Sequence, residues 1–241
     1  MIFLVYKDIP SVVDKVKDNA LECIKSICRK GLRPILKDFA TVRKFLPPKM
    51  TTIMFDRYPA KNRYADVMCL DKTRVILKDR PRNNDYIHAN WVQLSTNRRY
   101  ICTQGPLEET IEDFWWMIFK EEVQAIVMLC DFIEDGEPKC AEYYPLTTGE
   151  KIRYGGITVK NEKAGEHLES TTCQIMSVVR EIRHQRLHSV QSVLQYLYMH
   201  ICLIEYAQIA KSLPRDPFMR RFRRDYEKYL KKFNERLTKD K

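Results

Sequence analysis

Residues 99–145 read RYICTQGPLEETIEDFWWMIFKEEVQAIVMLCDFIEDGEPKCAEYYP. A turn, TQGP, is followed by a helical pattern on Phe114, Trp115, Ile118 and Phe119. AIVMLC comes next, a continuous apolar run of the kind a fully buried strand carries. The stretch is one strand, turn, helix, strand unit.

Upstream of it, VMCLD (67–71), TRVIL (73–77) and DYIHANWVQL (85–94) read as extended segments, with KDRPRNN (78–84) as a polar turn. Downstream, the charged loop Asp131–Lys139 and KIRYGGITVK (151–160) suggest further strand edges of the same sheet. From residue 172 to 209 the pattern changes to long helix, first 174–184 and then 189–211. In the second, Val190, Leu194, Leu197, Ile201 and Ile204 share one face.

At the start of the chain Ser11 precedes a helix carrying Val12, Val16, Ala20, Ile24 and Ile27, with Asp14 as a weaker version of the capping-box acid. Gly31 after Arg29 and Lys30 is a C-cap signal behind a basic last turn. A second short helix is expected from Pro34 to about Phe45, ended by Pro47 and Pro48. The last segment has Asp216 as N-cap and Pro217 at the first helical position. Phe218, Phe222, Tyr226, Tyr229 and Phe233 then recur at spacings of four and three among Arg and Lys. That is a basic amphipathic helix, whose aromatic stripe either packs on the domain body or faces an anionic membrane or a partner protein.

A chain of 241 residues allows one large domain with appendages, or two small ones. The formal charge of +10 is uneven. Residues 1–50 hold 11 basic and 5 acidic side chains, residues 51–210 hold 19 and 22, and residues 211–241 hold 12 and 5. Basic ends on a near-neutral body argue against a nucleic-acid face. MIFLVYKDIP has an apolar run of four residues with no basic flank and no cleavage site, so it fails as a signal peptide, and no apolar stretch approaches the length of a membrane span. The eight cysteines form no C-x-x-C pair and no metal-type spacing with the five histidines. Reduced, buried thiols in a cytoplasmic protein, with no metal and no cofactor, are expected.

The unit at 99–145, together with KNRYADV (61–67), NDYIHAN (84–90) and VREIRHQRLHSVQSVLQY (179–196), resembles the catalytic domain of the classical, tyrosine-specific protein phosphatases. Four separated motifs stand in the family's order, and CLDKTRV with KGLRPILKDF looks most like nematode members. The resemblance implies an α/β fold, a mixed sheet flanked by helices. It divides the chain into an N-terminal helical extension (1–30), a truncated phosphatase-like domain (31–210) and a basic C-terminal helix (211–241).

The family's active centre is a glycine-rich His-Cys-(five residues)-Arg loop behind a Trp-Pro-Asp loop, and neither occurs in these 241 residues. In the family, the strand, catalytic loop and buried helix between the two flanking regions form the middle of the sheet. Here only KNEKAGEHLEST separates those regions. The central strands and catalytic loop are therefore expected to be missing, which would leave sheet edges open.

Phosphotyrosine hydrolysis needs a thiolate, an arginine and a nest of backbone N–H groups on the phosphoryl oxygens, and an acid for the leaving group. The literal Cys-(five)-Arg at Cys23–Arg29, CIKSICR, lacks glycine and lies in an amphipathic helix, so it reads as coincidence. By resemblance, Tyr64 matches the residue that stacks on the phosphotyrosine ring and Asp66 the acid that binds the substrate backbone. Glu134 and Lys139 match supports of the catalytic arginine and the acid loop, Gln191 matches the glutamine that positions the hydrolytic water, and Gln195 matches its downstream companion. Asn62, Arg63, Gln104, Gly105, Pro106, Arg183 and Arg186 match structural positions, while His88 stands where the family has Asn.

No catalytic residue is assigned. The expectation is an inactive phosphatase-like protein acting through a protein partner, with phosphotyrosine binding weak or absent. Two alternatives stand beside it: an incomplete isoform or gene model of an active phosphatase, and a membrane-surface or scaffold protein acting through residues 214–241.

Overall fold

The computed structural model describes residues 2–6, 24–93, 99–163, 175–209 and 217–239. In chain order the helices are α1 (24–30), α2 (Leu32–Arg43), α3 (Ile53–Arg57), α4 (Ile111–Lys120), α5 (Ile175–Gln185), α6 (Val193–Ile209) and α7 (Pro217–Lys239). The strands are β1 (Ile2–Tyr6), β2 (Arg74–Ile76), β3 (Tyr86–Gln93), β4 (Arg99–Thr103), β5 (Ala125–Met128), β6 (Ile133–Glu134), β7 (Glu137–Pro138), β8 (Lys151–Tyr154) and β9 (Ile157–Lys160). The fold is α/β, and its contacts form two compact units. One comprises Met1–Ile9, Leu46–Leu168 and Ile182–His188, the other Pro10–Phe45, Glu169–Glu181 and Ser189–Lys241.

The first unit is built on a five-stranded sheet ordered β2-β3-β4-β1-β5, with every neighbouring pair antiparallel. The unit read from residues 99–145 is present as β4, the TQGP turn, α4 and β5. Its two strands point the same way, and β1 lies between them. Residues Ile2 to Tyr6 pair with Thr103 to Arg99 on one side, and Ile2 to Val5 with Met128 to Ala125 on the other. Missing central strands were expected to leave sheet edges open unless the chain re-packs; between β4 and β5 the strand Ile2–Tyr6 occupies the gap. The backbone groups of β4 and β5 that would lack partners are thereby paired, which matters because an unpaired buried N–H or C=O costs about 1–3 kcal/mol.

The core of this unit gathers on α4, where Ile111, Phe114 and Met117 are buried against Val75, Leu77, Ile101 and Tyr143. The buried face is thus set one position off the sequence reading, and Phe119 is 64% exposed. Burying a side chain such as Phe114 stabilises by roughly 2–3 kcal/mol. Two other expectations are corrected. VMCLD is irregular rather than a strand, because its polar groups serve neighbours: the Leu70 carbonyl accepts from Asn90 Nδ2 at 3.1 Å, and Asp71 caps α3 through Ile53 N at 2.7 Å and Met54 N at 3.0 Å. KIRYGGITVK does not join the main sheet; β8 and β9 pair only with each other, as do β6 and β7.

The second unit is helical. Ile24 and Cys28 of α1, Ile35, Phe39 and Val42 of α2, Leu197, Ile201 and Ile204 of α6, and Met219 and Phe222 of α7 share one core. Gly31 joins α1 to α2 at φ 72°, a left-handed conformation that glycine takes without Cβ strain, and its N–H donates to the Ile27 carbonyl at 3.1 Å. α2 begins at Leu32 rather than Pro34, since a proline in the first turn sacrifices only an N–H that has no intrahelical partner. On α7 Phe222 is buried and Tyr226 and Tyr229 pack beside it, whereas Phe218 is 45% exposed. The stripe packs in its own unit over most of its length. Asp216, Cys23 and the expected helix over 12–23 lie outside the described residues. No described helix is long and apolar enough to cross a membrane.

Proline at Leu4 would remove the ladder N–H of a strand paired on both sides. Leu4→Pro is expected to destabilise the first unit by at least about 2 kcal/mol, read as a lowered urea midpoint with near-UV circular dichroism as probe.

Candidate functional site

The motif KNR (61–63) is a clamp. Arg63 donates from its backbone N–H to Gln104 Oε1 at 3.0 Å, from Nε to the Gly105 carbonyl at 3.0 Å, from Nη2 to the Pro106 carbonyl at 2.5 Å and from Nη1 to the Pro138 carbonyl at 3.2 Å. Gln104 returns a bond from Nε2 to the Lys61 carbonyl at 2.9 Å. Asn62 donates to the Phe55 carbonyl at 2.8 Å and accepts from the Tyr86 hydroxyl at 2.7 Å. Lys61 reaches Asp113 of α4 and Asn84 Oδ1, both at 2.8 Å. Gly105 is required by packing: a Cβ there would lie 2.6 Å from the Lys139 carbonyl and 3.2 Å from Cys140 Sγ.

This clamp holds the loop that bears Tyr64 and Asp66. Tyr64 is 41% exposed and Asp66 is exposed, so both stand at the surface. Asp66 lies close enough for its charge to act on the His188 ring; burial, then the Arg183 guanidinium, hold that ring's pKa below its ordinary value against Asp66. Arg183 is itself buried, and burial pushes its pKa down.

His88 and Arg186 form the buried polar centre of the sheet. His88 Nε2 sits 2.7 Å from the Val67 carbonyl and so carries the proton, leaving Nδ1 to accept from Arg186 Nη2 at 3.4 Å. Arg186 Nη1 also donates to Asn90 Oδ1 at 2.8 Å. Burial first, then the Arg186 charge, push the His88 pKa down to about 3, so the ring is neutral in the fold. The sequence reading left His88 without a role; in the structure it spans from β3 to the loop after Asp66.

The remaining matched residues are dispersed. Glu134 is exposed and accepts from the Asp131 N–H at 3.1 Å. The Lys139 N–H donates to the Phe132 carbonyl at 2.8 Å, and its ammonium forms no ion pair among the described residues. Gln191 and Gln195 belong to the second unit. There Gln195 Oε1 accepts from the N–H groups of Gln191 at 2.8 Å and Ser192 at 3.2 Å, so its amide caps the entry to α6.

Four of the described cysteines, Cys28, Cys69, Cys102 and Cys140, are buried, and burial raises the Cys102 thiol to about 12. Cys130 is half-buried and its thiol hydrogen-bonds to Cys140, which draws Cys130 down to about 6 and pushes Cys140 up. Six residues beyond Cys130 stands Gly136, not arginine.

Sequence reasoning missed two devices. One is Gln185, whose amide donates to the Gln93 carbonyl at 2.8 Å and accepts from the Gln93 N–H at 2.6 Å, pairing with the end of β3 as a strand residue would. The other is Asp71 as cap of α3. Burial acts against its ionisation, yet the Met54 and Ile53 N–H groups hold the carboxyl below its ordinary value. Both join residues 17 or more apart in sequence, so local patterns carry no trace of them.

A sheet whose β4–α4–β5 unit is bound through TQGP to a KNR clamp, with a tyrosine at the rim, defines a protein of the tyrosine-phosphatase class. The family model for protein-tyrosine phosphatase matches residues 58–178, half of the chain. Human tyrosine-protein phosphatase non-receptor type 9 is 41% identical over 133 residues, covering 53% of this chain and 22% of that protein. The tyrosine phosphatase-like protein J1 of a Microplitis demolitor bracovirus is 41% identical over 104 residues, 43% of this chain and 35% of that one. Rat non-receptor type 20 is 34% identical over 137 residues, 55% and 32%. The matched stretches span between 22% and 35% of these relatives' own lengths. The chain belongs to the protein-tyrosine phosphatase family.

The neutral His88 gives a signed pH dependence. Its pKa is lower in the fold than in the unfolded chain, so between about pH 6.5 and 3 the unfolded state binds the extra proton and stability falls as pH falls. The loss is of order 4 kcal/mol across the whole window. His88→Asn is expected to flatten the acid limb of the stability–pH curve between pH 6 and 4, measured by urea titration at each pH.

Proposed function

We propose that this chain is a catalytically inactive member of the family, a cytoplasmic interaction or regulatory module that works by contact with a protein partner. The observation that carries this reading is in the sequence. The sole cysteine with arginine six positions on is Cys23, with Arg29; residues 24–30 of that stretch are helical, and the N–H groups from Cys28 onward are committed to i−4 carbonyls rather than free to turn inward on an anion. No Trp-Pro-Asp sequence is present either. A phosphoryl transition state needs an in-line thiolate, cationic and N–H contacts on its equatorial oxygens, and a proton donor for the leaving phenolate. Arg63 is held in the clamp by three carbonyls, with Nε, Nη1 and Nη2 each engaged. Cys130 has a lowered pKa but shares its proton with Cys140, with no arginine six positions on.

Tyr64 and Asp66 persist on the clamp as a rim for an aromatic residue and a peptide backbone. Without groups to hold a phosphate dianion, they support weak phosphotyrosine binding at best. The clamp fixes these residues whether or not chemistry follows, so a surface for protein contact survives the loss of the reaction.

A second reading, an incomplete version of an active enzyme, draws on the short KNEKAGEHLEST between family-like segments. The first reading draws on the pairing of β1 with both β4 and β5, by which the strands present close their own edges. A third reading gives residues 214–241 to an anionic membrane; with Met219 and Phe222 buried, the charged faces of α7 would have to supply that contact.

The purified chain is expected to hydrolyse neither p-nitrophenyl phosphate nor a phosphotyrosyl peptide above the protein-free rate. Turnover abolished by Cys130→Ser would overturn the proposal. Peptides from the source cells that join residues 165 and 173 through a His-Cys-(five)-Arg loop would decide for the second reading.

A further inference from the structure

Within the second unit, α1, the Gly31 turn, α2 and α7 enclose an open cleft of about 620 Å³. Its floor includes Leu36, Phe222 and Tyr229. Its rim carries Arg29, Lys30 and Arg33 from the turn, and Arg221, Lys228 and Lys232 from α7. Asp225, the one carboxylate among the lining residues, lies 3.8 Å from Arg221 Nε. Among the described residues, Arg29, Lys30, Arg33, Lys228 and Lys232 form neither ion pair nor hydrogen bond.

Three of these cations, Arg33, Lys228 and Lys232, sit where helix electrostatics oppose them. Lys228 and Lys232 are like charges at i, i+4 on α7, a spacing that destabilises a helix by a few tenths of a kcal/mol. Arg33 is in the first turn of α2, which holds no acidic residue and has no side-chain cap, so a positive charge there meets the positive end of the helix dipole. An anion in the cleft would relieve both. Arginine forks and lysine point charges converging from two sides suit several phosphate groups carried close together, rather than one carboxylate.

We propose that this cleft binds a compact ligand bearing clustered phosphates, an inositol polyphosphate, either free or as the headgroup of a phosphoinositide. The cleft belongs to the second unit and the clamp to the first, and the proposal does not depend on whether the chain is catalytically active.

The test uses the full chain and two triple variants of equal charge change. Arg33→Gln/Lys228→Gln/Lys232→Gln removes cleft cations. Arg220→Gln/Arg224→Gln/Lys231→Gln removes three exposed α7 cations that do not line the cleft. Inositol hexakisphosphate, titrated calorimetrically at physiological salt, is expected to bind the unaltered chain and to raise its melting temperature. The cleft variant should lose at least tenfold in affinity and its thermal shift, while the control variant stays within about twofold. Vesicles of phosphatidylcholine doped with a phosphatidylinositol bisphosphate separate the two sources. Capture competed by hexakisphosphate identifies the headgroup, and absence of capture with hexakisphosphate still bound identifies the free ligand. Equal losses in the two variants, capture by phosphatidylserine vesicles of matched charge as strong as by bisphosphate vesicles, or no binding of any probe would each overturn the proposal. Both variants alter exposed side chains, and their far-UV spectra without ligand must match that of the parent chain.

Discussion

The backbone pairing of Ile2–Tyr6 with β4 on one side and β5 on the other is the constraint on which the first unit rests. β4 and β5 point the same way because α4 returns the chain across the sheet, so their facing edges cannot be closed by each other at a two-strand distance. At the two-strand spacing they adopt, the strand between them pairs two rows of N–H and C=O groups. β1 is that strand, antiparallel to both. The order β2-β3-β4-β1-β5 is thus a solution to a hydrogen-bonding problem, and α4 can then bury Ile111, Phe114 and Met117 on a continuous surface.

The KNR clamp solves a different problem. Arg63 satisfies the carbonyls of a glycine–proline turn, the Gln104 amide ties that turn back to the Lys61 carbonyl and the Arg63 N–H, and Gly105 lets it lie against Lys139 and Cys140. Tyr64 and Asp66 are consequences of the clamp, held outward because their neighbours are held inward. The groups that place Tyr64 and Asp66 at the surface are therefore structural ones.

Much of this could be read from residues in order. The strand–turn–helix–strand unit, the Gly31 turn and the aromatic stripe of α7 are local signals, fixed by periodicity and by φ preference, and each is where the pattern puts it. The phase of α4 was read one position off, because the run FWWMIF offers apolar residues on every side and the neighbouring Tyr143 and Leu77 select the face. VMCLD looked extended for a similar reason: β-branched and apolar residues suggest a strand, but Asp71 was needed as a cap for α3, seventeen and eighteen residues away. Glu134, Lys139, Gln191 and Gln195 were matched by motif alone, and motif matching says nothing of distance; Gln195 spends its amide on the backbone at the start of α6.

The sequence by itself determined the strand–turn–helix–strand unit, most of the helices, the family, and the absence of a His-Cys-(five residues)-Arg motif from these residues, since those depend on which side chains follow one another. The tertiary structure decided which strand sits in the middle of the sheet, which carbonyls Arg63 satisfies, why His88 stays neutral, and how six cations from two distant segments come to share one cleft. Pairing partners, desolvation and charge proximity are properties of residues far apart in the chain, and they acquire values only when the chain is closed on itself.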